Sequence, residues 1–201
     1  MTHSLHRKGN RTELKNDYVI LAMVAADFND KHENSRDKLL SIGNILKKHN
    51  PINIMPEAGW KISPVITAAY TDIESVRKVV TEIKGKNFGI SIVISGLISE
   101  IEILLKEIDL KPHTIHFSLG IFGKKEFLPS EETLKITSMC GHHCISPKLV
   151  INLGKQVRLK KIPMNKAIMK LSKPCVCGIF NQKRAQEILE SMIKRDQVNS
   201  E

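Results

Sequence analysis

Aromatic residues are scarce in this chain, with one Trp, two Tyr and six Phe among 201 residues. A core made under that constraint must draw on Ile, Leu, Val and Met. The scarcity also weighs against single-strand nucleic-acid binding, which leans on aromatic stacking platforms. Long apolar runs are missing too. No stretch reaches the roughly 20 apolar residues a membrane-spanning helix requires. The longest run near the start, Tyr18 to Ala26, suits a buried strand. Met1 to Arg11 is polar and basic, with no apolar segment of the kind that marks an export signal, so the expectation is a cytoplasmic protein without a membrane partner. The chain has no G-x-G-x-x-G, no Walker A motif, no H-E-x-x-H and no G-x-S-x-G, and the common nucleotide and hydrolase classes lose weight accordingly.

Cysteine is absent until residue 140. Then four arrive in two tight pairs, Cys140-Gly-His-His-Cys144 and Cys175-Val-Cys177. In the cytosol thiols stay reduced, and paired cysteines point to metal or redox chemistry rather than structural disulfides. Thiolates are soft donors that suit zinc, Cu(I) or the iron of a cluster. Four of them complete a tetrahedral zinc site or fill the corners of a [4Fe–4S] cluster. Gly141 and Gly178 beside the cysteines permit close backbone approach. Each pair also precedes a predicted helix, whose N-terminal N–H groups favour an anionic thiolate.

Structural zinc sites usually show C-x₂₋₄-C at both ends, and C-x-C is too tight for the usual zinc turn. Iron–sulfur spacings vary more widely. The expectation is therefore a [4Fe–4S] centre held by Cys140, Cys144, Cys175 and Cys177, with zinc or no permanent metal as alternatives. His142 or His143 could replace a cysteine or lower a thiol pKa; the plain alternative is a hydrogen-bonding scaffold and a solvated side chain. Cys140–Cys144 also resembles the C-x-x-C dithiol of disulfide-exchange domains, but with one residue inserted.

Three tracts carry a further resemblance: Ser118-Leu-Gly-Ile-Phe-Gly123, Thr137-Ser-Met-Cys-Gly-His142 and Pro174-Cys-Val-Cys-Gly-Ile-Phe-Asn181. They resemble motifs of an uncharacterised group of proteins from anaerobic prokaryotes. The likeness covers roughly the C-terminal 85 residues and implies that the cysteine motif is one unit. It implies no activity, and an anaerobic setting favours iron–sulfur.

Charge is as uneven as cysteine. Residues 145–195 hold twelve Lys and Arg against Glu187 and Glu190, which equals the whole net charge of +10. Such a field suits an anionic partner: a small anionic molecule, an acidic redox protein, or nucleic acid engaged through residues 145–195. The plain alternative is a solvated lysine-rich surface.

The first 124 residues alternate strand and helix signals. Strands are expected at 18–26, 65–70, 89–95 and 114–119, and 51–61 reads as loop. Helices are expected at 35–49 with Ser35 as N-cap, at 72–84 closed by Gly85, and at 99–108. Helices between strands predict a small parallel sheet with right-handed crossovers. Residues 125–201 read as a helical, Cys-rich segment, with Ser130, Pro147 and Asn181 marking helix starts. In a parallel sheet the strand C-termini form a crevice. There Asp27, Asn29, Thr71, Asp72, Ser95, Gly96, Ser118 and Gly120 could line a second site, although capping alone accounts for such residue types. His113 and His116 read as half-buried structural histidines flanking the fourth strand.

The sequence thus predicts an α/β domain over 1–124 followed by a helical metal-binding segment over 125–201. The expected function is a [4Fe–4S] protein with a redox or cluster-dependent role. The alternative is a zinc-stapled module that binds nucleic acid through its basic helices. No catalytic residue is assigned.

Overall fold

The computed structural model describes residues 7–118 and 120–198. Leu119 and residues 1–6, part of the expected fourth strand and of the basic start, lie outside that description.

The chain forms two compact units. The first comprises Arg11–Ile115 and a short return of the chain, Val176–Ile179. Its elements are helix α1 (Arg11–Leu14), strand β1 (Tyr18–Met23), helix α2 (Ser35–Lys48), strand β2 (Asn53–Ile54), helix α3 (Glu57–Trp60), strand β3 (Val65–Tyr70), helix α4 (Ile73–Lys86), strand β4 (Ser91–Ser95) and helix α5 (Ile98–Glu107).

The strands lie in the order β2-β3-β1-β4, and every neighbouring pair is antiparallel. The expected parallel sheet is therefore wrong. The strands expected at 18–26, 65–70 and 89–95 correspond to β1, β3 and β4, but β2 lies in a stretch that reads as loop. Asn53-Ile54 pairs with Ala68 and Ala69 at the sheet edge, within what reads as loop. This short strand takes up the return from α2, so β3 comes back in the opposite direction and inserts between β1 and β2. Each helical crossover still joins two strands of the same direction, but with an antiparallel strand between them. This is the split β-α-β-β-α-β arrangement.

Alternation along the strands sets the core. Tyr18, Ile20 and Ala22 of β1, and Ile66, Ala68 and Tyr70 of β3, share one face. Against that face α2 places Leu39, Ile42, Ile45 and Leu46, α4 places Val76, Val79, Val80 and Ile83, and α5 places Ile101, Leu104 and Leu105. Burying each such side chain stabilises the fold by about 1.5–3 kcal/mol before entropy is counted. Trp60, from the stretch read as loop, is also buried here, and its indole N–H donates to the Met55 carbonyl at 2.8 Å.

Other local expectations divide. Asp72 caps α4 by accepting the Ser75 N–H at 2.7 Å. Gly85 does not stop that helix; Asn87 does, in the left-handed conformation that its short polar side chain tolerates. Ser35 is not the cap of α2 but its first residue, and its hydroxyl donates to the carbonyls of Asn29 and His32. The expected strand at 114–118 is irregular and exposed. His113 and His116 are exposed rather than half-buried.

The second unit contains the described residues up to Asn10, His116–Cys175, and the chain from Phe180 onward. It is helical: α6 (Glu131–Thr137), α7 (Pro147–Arg158), α8 (Met164–Ser172) and α9 (Gln182–Val198). Helix α9 packs on α6, α7 and α8. The core is aliphatic, as the composition requires, with Ile136, Met139, Val150, Leu153, Ile168, Leu171, Ile188 and Leu189 buried and Phe180 its one buried aromatic side chain among the described residues. Ser130 caps α6 through the Thr133 N–H, Pro147 opens α7, and Asn181 caps α9 through the Arg184 N–H at 3.0 Å. The chain re-enters this unit at His116, and Val176–Ile179 leaves it for the sheet unit.

Candidate thiol site

Cys140 and Cys175 sit in matching places in the helical unit, each just beyond a helix C-terminus. Helix α6 ends at Thr137, Ser138 closes it, and Cys140 follows; α8 ends at Ser172, and the Cys175 N–H donates to the Ser172 carbonyl at 3.0 Å. Both cysteines are buried. The partial negative charge at a helix C-terminus favours a cation nearby and disfavours a bare thiolate. Each pair also precedes a helix as expected, Cys144 two residues ahead of the α7 cap Ser146 and Cys177 four ahead of the α9 cap Asn181, but Cys140 and Cys175 themselves adjoin helix C-termini.

The Cys140–Cys144 loop folds back on its first sulfur. The His143 N–H donates to the Cys140 carbonyl at 2.9 Å, closing a turn. His143 itself takes a left-handed conformation, φ 54°. That geometry aims the backbone N–H groups of Cys144 and His142 at the Cys140 sulfur. The Cys140 thiol also meets Cys175 and Cys144. It is the hub of a three-sulfur cluster within one unit.

Electrostatics at this hub are opposed. The hydrogen bond with Cys175 and then burial push the Cys140 thiol well above its ordinary pKa, while the two backbone N–H groups pull it down. Burial and the neighbouring Cys140 likewise raise Cys144, although that residue is exposed and its thiol lies 3.8 Å from the His142 carbonyl. Without a cation these thiols are protonated at neutral pH. The donors are soft and lie close to one sulfur. Among the described residues, however, no group of three or more His, Cys, Asp and Glu side chains is arranged to hold a metal ion. Of the three thiols at the hub, Cys144 is the exposed one.

Cys177 lies with the sheet unit. Its carbonyl accepts from the Thr67 hydroxyl on β3, and its side chain is half-buried. Gly178 follows with φ +68°, and a Cβ there would strike the backbone of Ile54 and Met55. His142 and His143 are both exposed.

The second candidate site does not assemble. Because β1 runs antiparallel to β3 and β4, Met23 pairs with Val65 and Ser91, so Asp27 and Asn29 sit at one end of the sheet. Thr71, Asp72, Ser95 and Gly96 sit at the other. Asn29 is structural: its Oδ1 accepts the Ala25 N–H at 2.6 Å and its Nδ2 donates to the Gly89 carbonyl at 3.2 Å. Asp72 is the α4 cap, and Asp27 is exposed beside Lys31. Ser118 and Gly120 are exposed in irregular chain.

The backbone N–H groups on Cys140 were not foreseen; the only sequence signal is the Gly-His-His spacer, which is long enough to turn back. No protein-family model, no curated protein and no solved structure matches the chain. No helix among the described residues is long and apolar enough to cross a membrane.

Proposed function

We propose that this is a cytoplasmic metal–thiolate protein whose centre is an iron–sulfur cluster, most simply [4Fe–4S], serving electron transfer or cluster-dependent chemistry on a small anionic substrate. Cys140, Cys144 and Cys175 supply thiolates, and the sequence offers Cys177 and His142 as further donors. The observation that carries the reading is the hub at Cys140: a buried sulfur meeting two other thiols and facing two backbone N–H groups. N–H donors around a coordinated sulfur orient it and tune its potential. Helix C-termini behind Cys140 and Cys175 add a field that welcomes a cation.

Zinc is the alternative occupant of the same sulfurs. Anaerobic purification followed by optical spectroscopy separates the two. An iron–sulfur centre gives a brown protein absorbing near about 400 nm, a colour that Cys140→Ser and Cys175→Ser each remove. A colourless protein carrying zinc supports the alternative. A colourless protein without bound metal overturns both.

A further inference from the structure

Lysine is concentrated on α7, α8, the turn between them and α9. Lys148, Lys155, Lys160, Lys161, Lys166, Lys170, Lys173, Lys183 and Lys194 are all exposed, and among the described residues none of these nine forms an ion pair with a carboxylate. The arginines of the same region are already engaged: Arg158 with Asp196, Arg195 with Glu132, and buried Arg184 with the Lys8 carbonyl. The free positive charge is thus carried entirely by lysine.

These lysines are interleaved with apolar side chains at helical spacing. On α7 the order is Lys148, Ile151, Lys155, then Leu159 at the helix end, in steps of three and four residues that share one face. Lys160 and Lys161 occupy the turn into α8. There Lys166, Met169, Lys170 and Lys173 repeat the pattern. Ile151 is 58% exposed, Leu159 51% and Met169 69%. Packing does not require them: α7 faces the core with Val150 and Leu153, and α8 with Ala167, Ile168 and Leu171.

We infer that this face docks an acidic, partly apolar surface of another protein. Positive charge without internal partners is complementary to an acidic patch and speeds encounter with one. Isolated exposed Ile, Leu and Met between the lysines match apolar groups on a protein, whereas a phosphate backbone offers them nothing. Planar recognition of bases and phosphates draws on arginine forks and aromatic stacking, and this face has neither free. A membrane-lying helix keeps a broad apolar face for lipid; here the broad apolar faces are spent on the core. The inference stands on its own and does not need a metal at the thiols.

The test is fluorescence anisotropy on the full chain at about 0.15 M salt. The probes are a short synthetic helical peptide with one Glu face and one Leu face, poly-L-glutamate of the same length, a DNA duplex, and phosphatidylserine vesicles. The Glu/Leu peptide is expected to bind at least about tenfold more tightly than poly-L-glutamate. Lys148→Glu with Lys155→Glu should weaken both acidic ligands. Ile151→Gln with Met169→Gln should weaken only the Glu/Leu peptide. DNA or vesicles binding as tightly as the peptide overturns the inference, as does a peptide affinity that neither pair of substitutions changes.

Discussion

At Gly178 one missing Cβ decides whether a peptide segment can lie against the sheet edge. Its left-handed φ of +68° costs a side chain about 1–2 kcal/mol. The close backbone of Ile54 and Met55 adds a clash on top. Gly89 has the same φ and open space around the position of a Cβ. Gly178→Ala should therefore lower the urea midpoint clearly more than Gly89→Ala, by a further roughly 1–3 kcal/mol of overpacking. Equal effects would show that the approach to β2 carries no stability. Burial makes the cysteines unequal in the same way. In metal-free protein at neutral pH, iodoacetamide should modify exposed Cys144 first and buried Cys140 and Cys175 last. Mass spectrometry of timed samples reads the order, and early loss of Cys140 would contradict the buried hub.

Among the elements, α6 and α9 are tied by a pair whose pH response has a definite sign. Arg195 donates to Glu132 at 2.7 Å and holds its carboxyl below the ordinary carboxylate value of 4.5. A carboxylate with a lowered folded pKa stabilises the fold above its unfolded value. That contribution disappears as the pH falls through the folded value. Unfolding followed from neutral pH down through the region below 4.5 should show the helical unit losing this support, and Glu132→Gln should flatten that part of the profile. An unchanged profile would mean the pair is too solvated to matter.

Elements also show what the sequence could and could not reveal. Long periodic segments were legible: β3 falls exactly at 65–70 and α2 within one residue of its expected end, because many apolar positions repeat the same period. Strand β2 was not, since two residues carry no period, and missing them reversed the inferred direction of β3. Residues 114–118 alternate convincingly yet form no strand, because alternation records a fit to a pleated surface and not the presence of a neighbouring strand.

For the whole molecule, charge and sulfur were legible as composition and much less as geometry. The excess of +10 after Ile145 was visible in the residues, but that the arginines are engaged while nine lysines form no ion pair among the described residues depends on tertiary partners. The four cysteines were visible as donors. The folding of the Cys140–Cys144 loop onto its own sulfur depends on the left-handed His143, which no spacing rule announces. The second site failed because it assumed the wrong sheet polarity.

The central claim is that the sulfurs around Cys140 hold a soft metal. Quantifying iron, acid-labile sulfide and zinc per chain in anaerobically purified protein tests it most directly. The account predicts about four irons and four sulfides per chain, falling sharply when Cys140 is replaced by serine. A folded protein that binds neither iron nor zinc, before or after anaerobic reconstitution, would contradict it.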